Sequence, residues 1–131
     1  MKWNDTLVAI ALAGGLAVPT GVLLQPVTAT AQAKPDGAAL YQSKCGGCHS
    51  IATNRIGPAH KGVFGRKAGM APGYKYSPAL KASGIVWNDQ TLDKWLQGPP
   101  KVVKGTKMFF TVNDPAQRAA IIAYLKSPAA K

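Results

Sequence analysis

Two thiols and an imidazole stand together at Cys45-Gly46-Gly47-Cys48-His49. A Cys-x-x-Cys-His run is the pattern of covalent haem attachment. On a helical turn, sulfurs at this spacing can each add to one haem vinyl group, while the imidazole that follows turns beneath the ring to bind the iron. Gly46 and Gly47 are expected to let the porphyrin edge approach the backbone. Rival chemistries fit less well. A zinc site wants about four ligands, and a set built from Cys45, Cys48, His49 and His60 would be strained or incomplete. A thioredoxin-type pair would open a helix in a βαβ unit, and no strand-rich pattern surrounds this one. A structural disulfide is sterically awkward at this spacing and remains the residual alternative.

With His49 on one side of the iron, a second axial position is left to fill. His60, Met70 and Met108 are the candidates downstream. His60 follows soon after His49, in the loop that first leaves the haem, so reaching the opposite face looks difficult. Met70 lies in a Gly/Pro-rich bend and reads as packing or exposed. Met108 follows two predicted helices that can carry the chain across, in an irregular segment able to present a side chain inward. A Met/His pair is the ligation that raises the potential of a haem iron.

The elements that must position these groups are helices and loops. Asp36 is a predicted N-cap, and Gly37, Tyr41, Cys45 and Cys48 recur along one helical face. From Ser50 to Tyr76 the chain is rich in Gly, Pro and Lys, which predicts an extended loop. A loop so long is justified by wrapping a cofactor edge. Ser77-Pro78 starts a short helix that Gly84 stops. Asn88 caps another, with Leu92, Trp95 and Leu96 on its apolar face and Gly98-Pro99-Pro100 at its end. Lys101 to Asn113 reads as irregular. Asp114-Pro115-Ala116-Gln117 has capping-box spacing, and Ile121, Ile122 and Leu125 form the apolar face of the last helix. The expected fold is all-α, with short helices and long loops in a single domain over 34–131. So small a domain would be marginal on its own core, and a covalently held haem supplies apolar surface for the helices to close over.

The formal net charge is +11, from 16 Lys and Arg against 5 acidic residues, none of them Glu. Such a chain is steered toward acidic partners. The basic residues are scattered and carry no nucleic-acid motif, so nucleic acid is not expected; membrane phosphates are a weak second contact. Before the domain, Lys2 precedes an apolar stretch, and Ala31-Gln32-Ala33 matches a small-residue cleavage signal. A secretory signal peptide over 1–33 is therefore expected. The alternative is an uncleaved membrane anchor, although the 18 positions from Leu7 to Leu24 contain Gly14, Gly15, Pro19 and Gly21. Either way the thiols lie outside the cytoplasm, in the periplasm of a bacterium.

Several motifs in order now resemble a known family. Besides Cys45 to His49 they are Gly57-Pro58, Gly62-Val63-Phe64-Gly65-Arg66-Lys67, Tyr74-Lys75-Tyr76-Ser77, Gly84-Ile85-Val86-Trp87, Gly105-Thr106-Lys107-Met108 and Ile122-Ala123-Tyr124-Leu125-Lys126. The sequence resembles the class I c-type cytochromes, close to the mitochondrial and alphaproteobacterial cytochromes c, over almost all of 36–126. The resemblance implies a small cytochrome c fold and one haem c held through Cys45 and Cys48. It further implies iron ligation by His49 and Met108, and a Pro58 carbonyl that accepts a hydrogen bond from His49. Arg66, Tyr76, Trp87 and Thr106 match residues on the haem-propionate side, and Gly37, Tyr41 and Tyr124 match the packing of the first helix on the last. Two positions depart from the family. Trp95 stands where a tyrosine usually bonds to the ligand methionine, so that bond and the potential are expected to differ. Lys104 replaces a proline, which is expected to loosen the Met108 loop.

The implied function is one-electron transport by a monomer, not catalysis. Lys44, Lys61, Lys101 and Lys107 are expected to ring the haem edge and dock on acidic patches. A bc1-type complex, a terminal oxidase, a photosynthetic reaction centre or a periplasmic dehydrogenase would each present such patches. Two other readings are a carrier tethered by its N-terminus and, more remotely, a five-coordinate haem sensor or peroxidase-like protein, which would need an open iron position.

Overall fold

The computed structural model describes residues 33–131. Apart from Ala33, the expected signal peptide or anchor lies outside the described residues. Among the described residues five helices follow one another: α1 (Gly37–Lys44), α2 (Pro78–Ala82), α3 (Asp89–Gln97), α4 (Pro99–Val102) and α5 (Pro115–Lys126), with a 3-10 turn at Pro128–Ala130. Among the described residues no strand forms, only a single antiparallel bridge between Lys67 and Val86. None of the described helices is long and apolar enough to cross a membrane. The all-α expectation holds.

Helix starts are set by side chains that accept the amide hydrogens left free in a first turn. The Asp36 carboxylate accepts from Ala38 and Ala39, Ser77 from Leu80, and Asp114 from Ala116 and Gln117. The reciprocal capping box falls on α3, where Asn88 and Thr91 bond each other's backbone, rather than on α5. Two further expectations are corrected. The thiols do not share the face of α1: the helix ends at Lys44, Cys45 is its C-cap, and Cys48 and His49 lie in the turn beyond, with His49 N donating to Cys45 O at 2.8 Å. The segment 101–113 is not wholly irregular, because α4 begins at Pro99. Its two prolines occupy first-turn positions, where a missing N–H costs no hydrogen bond.

The core sits where α5 crosses α1 and α3. Gly37 is a contact residue: a Cβ there would strike the carbonyl of Ala120, so only glycine lets the two backbones approach. One turn on, the Tyr41 and Tyr124 rings pack with centroids 5.1 Å apart. Ile121, Ile122 and Leu125 of α5 and Leu92, Trp95 and Leu96 of α3 are buried. Each such aliphatic side chain contributes roughly 1.5–3 kcal/mol. Arg118 ties the same helices: its Nε donates to Asp93 Oδ1 at 2.6 Å, and its Nη1 to the carbonyls of Val112 and Asn113 at 3.0 and 2.8 Å.

The loop from Ser50 to Tyr76 holds its shape through side chains. Asn54 donates to Pro72 O at 2.8 Å and accepts from Ala59 N at 2.8 Å, while Tyr74 donates to Ile56 O at 2.7 Å. The loop thus forms one fixed wall of a cavity.

Candidate functional site

Between that wall, the end of α1, the apolar faces of α3 and α5 and the segment after α4 lies a cavity of about 550 Å³. It falls in the range of small-molecule and cofactor sites, ~300–1,000 Å³. All nine residues singled out in the sequence line it: Cys45, Cys48, His49, Pro58, Arg66, Tyr76, Trp87, Thr106 and Met108.

His49 is nearly buried, and its Nδ1 donates to the Pro58 carbonyl at 2.9 Å. That bond places the ring proton on Nδ1 and leaves Nε2 with a free lone pair, the state a metal ligand requires. Burial lowers the His49 pKa, with the Pro58 bond opposing, so the neutral ring is favoured. Gly57 makes room for it, since a Cβ there would run into the imidazole. Cys45 and Cys48 are unpaired, the first half-buried and the second exposed. Burial pushes the Cys45 thiol up to about 11 against the pull of Lys44.

Met108 enters the cavity half-buried. Thr106 Oγ1 accepts from Met108 N at 3.3 Å, and Trp95 Nε1 donates to Met108 Sδ at 3.2 Å. Indole thus takes the place of the absent phenol. The loop before it, with Lys104 in place of proline, turns through a Thr106 N to Val103 O bond at 3.2 Å. Lys107 Nζ then ties it to Lys75 O at 3.3 Å.

On the cavity's polar side, Arg66 donates to Lys61 O at 2.6 Å and Ala59 O at 2.9 Å, which fixes its guanidinium. The Tyr76 hydroxyl accepts from Ala71 N at 3.2 Å, and burial raises its pKa. Trp87 is buried with its ring edge-on to Trp95, centroids 5.2 Å apart. Its indole N–H has no acceptor among the described residues.

The other candidates separate. Met70 is 61% exposed and does not line the cavity. His60 lines it but stacks on His49, on that residue's own side. Lys44 and Lys107 edge the cavity, whereas Lys61 and Lys101 do not. Missed in the sequence were Ile56, Phe109 and Phe110, exposed apolar side chains that also line it. The apolar pair directly after Met108 was the available signal.

The family model described as cytochrome c matches residues 35–128. The chain belongs to the cytochrome c family. It is 47% identical to cytochrome c of Euglena viridis over 94 residues, 70% of this chain and 92% of that one. To cytochrome c2 iso-1 of Magnetospirillum molischianum it is 47% identical over 90 residues, 65% of this chain and 90% of that one. Among solved structures it resembles cytochrome cH from Methylobacterium extorquens with a TM-score of 0.65 and 47% identity, over 70% of this chain and 98% of that one. A family member of this kind is an electron carrier that holds haem c covalently, here through Cys45 and Cys48. The site fits the group: two free thiols, a histidine with an open Nε2, a methionine sulfur and the Trp87 ring line one largely apolar cavity.

Proposed function

We propose that this protein is a monohaem one-electron carrier in which His49 Nε2 and Met108 Sδ both bind the iron. The observation that carries the reading is that these two atoms, each oriented by its own hydrogen bond, belong to one cavity whose edge bears both thiols. Bound haem supplies a ferrous/ferric couple. The residues keep that couple rigid: Pro58 holds the His49 plane, Trp95 holds the Met108 sulfur, and Arg66, Tyr76, Trp87 and Thr106 provide polar groups for the propionates. Burial of the ligands limits solvent reorganisation when charge changes.

Docking is assigned to the face where Ile56, Phe109 and Phe110 are exposed beside Lys44 and Lys107. The apolar side chains give a dehydrated contact and the lysines steer it toward acidic surfaces. Such surfaces belong to redox complexes of a respiratory or photosynthetic chain, or to a periplasmic dehydrogenase. The carrier is exported and monomeric, released by cleavage after Ala33.

Intact mass of the protein from its own host, followed by potentiometric titration, tests this. Lys34 to Lys131 plus one haem, titrating as one electron at a positive potential, is the expected result. Full length plus haem would mean a carrier tethered to the membrane, and a mass without haem would overturn the proposal.

A further inference from the structure

His60 lies outside the ligand set, yet it is closely engaged with it. Its ring stacks on His49 with centroids 4.1 Å apart and planes 20° from parallel. Its Nδ1 lies 3.1 Å from the Tyr41 hydroxyl, and the two rings meet edge to face at 5.7 Å. Tyr41 in turn is buried in the crossing of α1 with α5, against Tyr124.

Two constraints are needed to hold an imidazole plane. A terminal torsion between sp³ and sp² atoms has a broad minimum, and one hydrogen bond at Nδ1 leaves the ring free to swing about the bond's own axis. Pro58 supplies the first constraint. A second ring flat against the imidazole supplies the other, because any swing drives the two rings together or opens a gap between them. Close-packed interiors resist both. His60 can serve as such a wall only if it is itself fixed, and the Tyr41 hydroxyl does that from the core.

We propose that His60 is a positioning residue, a wall anchored by Tyr41 that, together with the Pro58 carbonyl, sets the rotation of the His49 plane about the axis to the iron. The proposal rests on His49 being an iron ligand. It assigns to the crossing of α1 and α5 a direct hand in the electronic state of the site, through Tyr124, Tyr41, His60 and His49 in sequence.

The test is proton NMR of the ferric holoprotein, whose hyperfine-shifted haem-methyl resonances follow the orientation of an axial imidazole. His60→Phe keeps a flat ring and loses the hydrogen bond; His60→Leu loses the ring; Tyr41→Phe keeps the packing on Tyr124 and removes only the hydroxyl. His60→Leu is expected to redistribute the methyl shifts, and His60→Phe and Tyr41→Phe, which each keep a stacked ring but lose its anchor, to move them a smaller distance in the same direction. Parent-like shifts in His60→Leu, or equal displacement in His60→Phe and His60→Leu, would overturn the proposal. If His60→Leu fails to mature, parent-like shifts in Tyr41→Phe overturn it instead. A parent spectrum without a low-spin, histidine-bound haem would sink the ligand assignment itself, which separates the two failures.

Discussion

Trp95 Nε1 lies 3.2 Å from Met108 Sδ, with the donor on α3 and the sulfur in the loop after α4. A thioether sulfur has two lone pairs, so one can accept from the indole while the other binds iron. A donor on the sulfur withdraws density and disfavours the ferric state. Trp95→Phe keeps most of the packing and removes the donor. Its reduction potential is expected to fall by roughly 20–40 mV, the equivalent of up to about 1 kcal/mol for a one-electron couple. An unchanged potential, with methionine ligation intact, would show that the bond has no electronic effect.

Removing the sulfur is a coarser test of the same side. Met108→Ala should open an axial position, lower the potential on the order of 100 mV, and let the ferric protein bind cyanide at low concentration. Titration with cyanide, parent against variant, reads this directly. Equal affinity in the two would exclude Met108 as a ligand.

Acid stability is expected to depend on His60. Burial, with the neighbouring His49 ring and the Arg66 guanidinium, lowers its pKa from 6.5 to about 3 in the folded state. Below pH 6.5 the unfolded chain takes up a proton that the folded one refuses. Stability therefore falls as pH drops from about 6.5 toward about 3, by at most ~1.4 kcal/mol per pH unit from this group, and levels off below. Denaturant midpoints at about pH 7 and about pH 4.5 should differ less in His60→Leu than in the parent, and an equal difference would remove His60 as a source of the acid response.

Arg118 joins α5, α3 and the segment between α4 and α5 through one guanidinium. Its side chain is 10% exposed and that of Asp93 40%, so truncation strands two backbone carbonyls while leaving the carboxylate partly hydrated. Arg118→Ala should cost about 2–3 kcal/mol in denaturant unfolding, and Asp93→Asn less, because the carbonyl bonds survive it. Equal losses would place the stabilisation in the ion pair alone.

The docking face predicts an order among lysines. Charge reversal at Lys44 or Lys107, which edge the cavity, should slow association with an acidic redox partner by roughly three- to ten-fold at low salt. The same change at Lys101 should do much less. The parent rate itself should fall steeply with ionic strength. Stopped-flow kinetics at several salt concentrations would show either this ranking or a uniform response, and a uniform response would mean that net charge alone matters.

Much of the site was legible because its chemistry is local: Cys45, Cys48 and His49 announce themselves by spacing, and Asp36, Ser77, Asn88 and Asp114 announce the helices they cap. What was not legible depends on distant partners. Trp95 looked like the loss of a hydrogen bond, since only the folded chain shows the indole N–H directed at Met108. His60 read as a rejected ligand, and its place against the face of His49 depends on how the loop folds back. Arg118 carries no signal in the sequence, because its acceptors Asp93, Val112 and Asn113 are brought to it only by folding. The extent of α4 was obscured because Gly98-Pro99-Pro100 stops one helix and starts the next.

Asp36 and Asp114 cap helices, Asp89 pairs with Lys126 at 3.1 Å, Asp93 with Arg118, and none of the four lines the cavity, where Lys44, Arg66 and Lys107 do. Among the described residues, the cavity is thus edged by basic side chains and by no aspartate. An acidic partner would be drawn to that edge more strongly than to the rest of the surface. A larger fraction of encounters would then arrive with the cavity edge already facing the partner.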